Sequence, residues 1–299
     1  MTFPRSADSL VTWSGWQPLP GDWSPSAAVL AETLDGGQAF RWRRDPQGVW
    51  TGVWSELVVQ LRTAGGQPEW RAPAGLAAQA VDSLTRYLPL DEAWLSRTDA
   101  LPWRGDPHLA DCVRAFPGLR LLRQPFGETL LGFLCSATKQ IVQIRQMVAL
   151  VADRHGAEIV PGFRRLPRWD EIAGVPEADL RACQLGFRAR YIHQTAQFLA
   201  SRPGWLDETE HAPYAVAKAR LLELPGVGEK VADCVLLFGA GRLEAFPVDT
   251  WILKSLERRY QLTGWKPAQL AQFGRAHFGP LAGYAQQYLF AWERRFGGR

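Results

Sequence analysis

Two glycines separated by one valine, in the run Leu224-Pro225-Gly226-Val227-Gly228-Glu229-Lys230, constrain this chain more than any other feature. The run lies between two segments of helical character, so the backbone must reverse within a few residues, and glycine permits that without a Cβ penalty. The pattern predicts a helix-hairpin-helix at about residues 214–250. At the start of the second helix successive N–H groups face outward and the helix dipole is positive, so a phosphate fits there. Gly226, Gly228 and Val231 mark the expected DNA contacts of this backbone clamp.

A hairpin alone does not decide between catalysis and holding, because a lysine after the second glycine can merely touch phosphate. Asp249 adds the second group. It lies nineteen positions after Lys230, follows Phe246-Pro247-Val248, and precedes Thr250-Trp251-Ile252-Leu253, which reads as a further helix. Such an aspartate fits an N-cap. It can also share a cleft with the Lys230 amine, and the two roles are compatible.

The stretch LPGVGEKVADC followed by PVD resembles the helix-hairpin-helix DNA glycosylases, most closely their 8-oxoguanine branch. The resemblance implies catalytic roles for Lys230 and Asp249. It extends to Asp35-Gly36-Gly37-Gln38-Ala39-Phe40-Arg41-Trp42, similar to the GQxFRW signature of that branch, where a glycine carbonyl accepts the N7–H of the oxidised base. Gly37 takes that position; read by itself, the glycine pair is an ordinary turn before a strand. Cys135-Ser136-Ala137-Thr138-Lys139-Gln140 resembles the segment that enters the duplex where the base has left, which implies DNA contacts for Thr138 and Lys139. The asparagine run found there in the best-known members is replaced.

Leu185-Gly186-Phe187-Arg188-Ala189-Arg190-Tyr191 is similar to the family segment LGYRARY, which implies that Arg188 reads the cytosine opposite the lesion. Phe187 stands where the family has tyrosine. Gly279 to Phe290 resembles GPxAGWAQxxLF, and a spacing of four puts Gln286 and Phe290 on one helix face. The resemblance implies that Gln286 binds the Watson–Crick edge, that Phe290 stacks on the base and that Cys234 covers its other plane. Trp251 replaces a histidine that contacts the lesion's phosphate in several members.

Composition sets the remaining bounds. A chain of 299 residues can bury a substantial core, and 34 basic against 30 acidic residues give a net charge of +4, a mild preference for a polyanion. Cys112, Cys135, Cys183 and Cys234 are scattered without a CxxC pair, which points to a reducing, intracellular setting and to neither zinc nor disulfides. No cysteine follows Cys234, which excludes the C-terminal iron–sulfur cluster of some relatives. No metal or cofactor is expected. The start MTFPRSADSL lacks a signal-peptide pattern and no segment has the unbroken apolar length of a membrane span, so a soluble protein is expected.

The fold expected is α+β: an N-terminal antiparallel sheet domain, residues 1–105, then a mainly helical domain, residues 106–299, carrying the hairpin. Strands are expected at residues 38–43, 49–54 and 57–62, with an Asp-Pro-Gln-Gly turn after the first. Helices are expected at residues 76–88, 91–95, 128–137 and 141–148, and two more between 180 and 200, broken near 185–191. The function implied is removal of 8-oxoguanine opposite cytosine from duplex DNA by a monomer, followed by strand cleavage at the abasic site. An alkylpurine glycosylase of the same superfamily and a non-catalytic hairpin DNA-binding protein are the alternatives.

Overall fold

The computed structural model describes residues 11–90 and 93–297. The N-terminal region is a five-stranded antiparallel sheet of β1 (Gln17–Pro18), β2 (Trp42–Arg44), β3 (Trp50–Trp54), β4 (Leu57–Ala64) and β5 (Gln67–Arg71). The strand order is β1-β5-β4-β3-β2, a meander with β1 added at its far edge. The turn between β2 and β3 forms as its residues dictate: the Asp45 carboxylate accepts from Val49 N at 2.8 Å, and Gly48 adopts φ +88°. Trp42 pairs with Gly52, where a Cβ would lie 2.6 Å from the indole. The missing side chain is what lets the ring lie flat on the strand. Trp54 stacks on Tyr87 at 4.4 Å and joins the sheet to the helix Ala77–Tyr87.

The strand expected from residue 38 begins only at Trp42. Gln38 is buried and tied elsewhere: its amide donates to Arg120 O at 2.9 Å and accepts from Leu122 N at 2.9 Å, and its carbonyl accepts from the Gln124 side chain at 2.6 Å. Side chains thus take the backbone partners a ladder would have supplied. The helix Ala27–Asp35, capped by Ser26, and strand β5 lie outside the elements expected from the sequence. For β5, Gly65 and Gly66 at φ +56° and +83° form the tight turn that brings it back on β4.

The helical region follows the expected order. Phe126–Leu134 and Ile141–His155 flank the loop at 135–140, and Arg188–Ala200 follows a break at which Gln184 and Gly186 take φ +64° and +58°. The hairpin helices are Tyr214–Leu222 and Glu229–Phe238, followed by Thr250–Arg259, Pro267–Phe278 and Ala282–Phe296. Asp91 and Glu92, expected to open a helix, lie outside the described residues, as does the N-terminal decapeptide; Trp94–Ala100 is helical.

Two large cores form, one between the sheet and the helix Ala77–Tyr87 and one among the later helices. Side chains cross the sequence position 105 in both directions. Trp94 and Leu101 pack in the helical core, whereas Leu122 packs under the sheet. Among the described residues no helix is long and apolar enough to cross a membrane.

Candidate active site and nucleic-acid interface

The hairpin turn has the geometry its glycines allow. Gly226 adopts φ +79°, and a Cβ there would lie 2.8 Å from the Tyr191 side chain, so both torsion and packing exclude other residues. Gly228 precedes the second helix in an extended conformation, with nothing within 4 Å of a built Cβ. The first N–H groups of that helix, Val231 among them, have no intrahelical acceptor. Val231 buries its side chain, so its contribution on the outside is its backbone. Thr195 donates to Pro225 O at 3.3 Å and braces the turn against the helix Arg188–Ala200.

Lys230 lies in the first turn of this helix and points toward the body of the protein. Its Nζ donates to Ser136 Oγ at 3.1 Å and lies 5.0 Å from the centroid of the Phe133 ring. Ser136 in turn donates to Phe133 O at 2.6 Å. Asp249 caps Thr250–Arg259, with Oδ1 accepting from Trp251 N at 3.0 Å and Ile252 N at 2.9 Å. Burial raises its carboxyl pKa above the usual aspartate value, against the opposing pull of the Ile252 N–H, the Lys230 charge and the Trp251 N–H. Cys234, one turn after Lys230, is pushed up to about 12 by burial, with Lys230 lowering it and Asp249 raising it. Amine, carboxylate and a neutral thiol therefore share one locale.

The base-side residues come from three distant segments. Gly37 takes φ +101°, and a Cβ there would lie 3.4 Å from Phe290 Cζ and 3.0 Å from Ile141 Cδ1. A side chain at 37 would therefore crowd Ile141 and touch the edge of the Phe290 ring. Gln286 is 4% exposed and donates to Pro247 O at 3.2 Å, two residues before Asp249. Its Oε1 is buried without a hydrogen-bond partner. Such an orphaned acceptor costs about 1–3 kcal/mol, and a ligand N–H would satisfy it. Arg294 lies over the Phe290 ring at 5.6 Å and pairs with Glu32 at 3.0 Å, linking the helix Ala282–Phe296 to Ala27–Asp35.

Arg188 is 2% exposed, and its guanidinium faces the loop at 135–140. It donates to Ala137 O, to Thr138 Oγ1 at 3.0 Å and to Leu185 O at 3.2 Å. Thr138 itself is at φ +56°, an unfavourable torsion for a β-branched residue. Lys139 is exposed beside it. The structure thus joins Arg188 to Thr138, two positions 50 residues apart, but places the arginine donors on protein acceptors. Phe187 is exposed and stacks against the Arg188 guanidinium at 4.4 Å. Trp251 lies half-buried in the first turn after Asp249, with Lys254 Nζ 5.3 Å from its ring.

Three residues of this region have contacts that the sequence read alone does not assign. Ser136 and Phe133 hold the Lys230 side chain, and Gln38 fixes the segment at 120–124 against the Gly37 loop. For Ser136 the only available hint is its place two residues before Thr138. Its partner is 94 positions away, and no local pattern encodes such a pairing.

Residues 23–130 match the family described as 8-oxoguanine DNA glycosylase, N-terminal domain. Residues 132–276 match the HhH-GPD superfamily base excision DNA repair proteins. The N-glycosylase/DNA lyase OGG1 of Arabidopsis thaliana is 31% identical over 290 residues, covering 89% of this chain and 77% of the relative. A probable N-glycosylase/DNA lyase of Methanothermobacter thermautotrophicus is 41% identical over 220 residues, 64% of this chain and 69% of the relative. Among solved structures, the Clostridium acetobutylicum 8-oxoguanine glycosylase/lyase in complex with double-stranded DNA containing cytosine opposite 8-oxoG superposes with a TM-score of 0.81 at 29% identity. The match covers 90% of this chain and 92% of that one. A 3-methyladenine DNA-glycosylase from Archaeoglobus fulgidus, at 19% identity and TM-score 0.73, shares the fold.

Proposed function

The chain belongs to the 8-oxoguanine glycosylase/lyase family of the helix-hairpin-helix superfamily, is a DNA glycosylase with lyase activity, and on that premise we propose how its residues act. The substrate is duplex DNA bearing 8-oxoguanine opposite cytosine, bound by a monomer inside the cell. The hairpin amides grip the backbone phosphate, and the damaged nucleotide leaves the stack because its C1′ is unreachable within a duplex. Gln286, through its orphaned Oε1, accepts from the Watson–Crick edge, Phe290 and Cys234 flank the base plane, and the Gly37 carbonyl accepts the N7–H. Guanine carries a lone pair at N7 instead, so the same carbonyl repels the undamaged base.

Lys230, once neutral, attacks C1′. The new C–N bond forms as the bond from C1′ to the base breaks, with the electron pair departing on the base, which takes up a proton. Asp249 stabilises the positive charge developing on the sugar. Ring opening then gives a Schiff base; loss of a C2′ proton and expulsion of the 3′-phosphate complete β-elimination. Arg188, Thr138 and Lys139 serve the opposite strand, and Arg188 must first leave its protein acceptors to read cytosine.

The observation that carries this reading is the convergence of Lys230, Cys234 and Asp249 in one locale. The test is borohydride trapping on duplexes carrying 8-oxoguanine opposite each base. Wild type is expected to form a covalent adduct, with cytosine opposite preferred, and Lys230→Gln to form none while still binding, because the clamp is backbone. Trapping by Lys230→Gln at the wild-type rate would show that another amine is the nucleophile. The likeness to the 3-methyladenine enzyme extends to the fold, and the Gly37 segment together with Lys230 favours the oxidised purine.

A further inference from the structure

One lysine of the hairpin is used neither by the clamp nor by the chemistry at Lys230. Lys218, on the first helix Tyr214–Leu222, lies between two carboxylates of the second: its Nζ is 2.6 Å from Glu229 Oε2 and 3.1 Å from Asp233 Oδ1. Burial would lower the pKa of this ammonium, and the two carboxylates more than reverse the effect. Asp233 is 1% exposed and also accepts from the Tyr214 hydroxyl at 2.7 Å. Burial pushes its carboxyl up, and the Lys218 charge and the Tyr214 hydroxyl pull it back. This half of the arrangement cross-links the two helices.

The other half adds little to that link, because an ion pair with an exposed partner is weak. Glu229 is exposed, with 58% of its side chain accessible, and it is the first residue of the second helix. It therefore places an acidic group at the helix start where DNA phosphate is proposed to bind. Gly228 leaves that start uncovered. A carboxylate free to swing across it would repel the phosphate and occupy the same N–H groups, since helix starts attract any anion.

We propose that Lys218 is a positioning residue for DNA binding, holding the Glu229 carboxylate against the hairpin and away from the phosphate site. The inference rests on the phosphate-clamp reading of the hairpin. Lys218 acts through Glu229 and has no direct role at the scissile bond. Because the ion pair is partly exposed, its influence is screened as salt rises.

The test is a double-mutant cycle read as affinity for a duplex carrying a tetrahydrofuran abasic analogue, which the Lys230 amine cannot open. Wild type, Lys218→Met, Glu229→Gln and the double variant are compared at low and at physiological salt, with thermal unfolding measured alongside. Lys218→Met is expected to weaken binding about three- to tenfold at low salt, the size of one like-charge contact at about 6 Å in a mostly aqueous setting. The same change made on top of Glu229→Gln is expected to cost less than about twofold, because the repelling charge is gone. Any strain from leaving Asp233 without its cation is present in both backgrounds and cancels. Lys218→Arg, which keeps both ion pairs, is expected to bind like wild type and guards against misfolding of the methionine variant. Equal losses in both backgrounds, with wild type binding, would overturn this inference alone. Failure of wild type to bind the duplex would overturn the clamp reading and this inference with it.

Discussion

Asp249 can be tested so that its capping role and its proposed catalytic role separate. Its Oδ1 accepts two backbone N–H bonds, at 3.0 and 2.9 Å, and an asparagine Oδ1 in the same rotamer can accept both. Asparagine and aspartate are near equals as N-caps, whereas alanine costs about 1 kcal/mol, a range of roughly 0.5–2. Asp249→Asn also removes a charge that burial disfavours. The folded carboxyl has its pKa raised by burial, so the native state binds the proton more tightly than the unfolded chain, and ionisation removes stability as pH rises through that window. At neutral pH Asp249→Asn is therefore expected to melt at or slightly above the wild-type temperature. Asp249→Ala should melt about 2–4 °C lower, from the cap alone in a chain of this size.

Catalysis should respond in a different order. A lost electrostatic stabiliser of developing charge costs about 10²–10³ in rate, roughly 2.7–4 kcal/mol, and both variants lose it. Single-turnover excision and differential scanning calorimetry on the same preparations are the assays. Wild-type excision should also fall as pH drops through the raised pKa of Asp249, an acid limb above the ordinary aspartate range, and that limb should vanish in Asp249→Asn. An Asp249→Asn enzyme excising at the wild-type rate would refute the electrostatic role and leave only the cap. An Asp249→Asn enzyme as unstable as Asp249→Ala would refute the capping argument.

Gly37→Ala places a methyl 3.4 Å from Phe290 Cζ at φ +101°, and should lower stability by about 1–3 kcal/mol and reduce lesion excision while leaving abasic-site binding nearly intact; excision and abasic-duplex affinity measured in parallel decide. Arg188→Ala should flatten the profile of excision opposite the four bases, removing about 1–3 kcal/mol of preference for cytosine, and an unchanged profile would remove Arg188 from the reading set. Glu171 is bonded twice by Arg165 at 2.6 Å, and that hydrogen bonding holds its carboxyl down at about 2. The stability it contributes is present above the ordinary glutamate range and lost as pH falls toward 2. The melting difference between wild type and Glu171→Gln should accordingly shrink over that window.

Local chemistry is what the amino-acid order determined by itself. The hairpin was legible because Gly226 answers a torsional demand at φ +79°, and the turn after β2 because Gly48 does the same at φ +88° beside the Asp45 carboxylate. The α+β order of sheet then helices, the helices around 126–155 and the break before Arg188 follow from periodicity and punctuation. The proposed catalytic pair, Lys230 and Asp249, was visible as residue types at helix starts. Strand β5 and the helix Ala27–Asp35 were not, because glycine- and proline-rich flanks and short alternation look alike in loop, strand and cap. Tertiary structure alone decided the rest. Gln38 reaches across more than eighty positions to hold residues 120–124, Ser136 meets Lys230 across 94, and Arg188 rests on Thr138 across 50. Each is a polar group whose partner is chosen by burial: once the cores close around it, water is excluded and the nearest complementary atom becomes the only way to satisfy it. Nothing within a turn or a strand specifies that atom, so such pairings emerge only when the whole chain has packed.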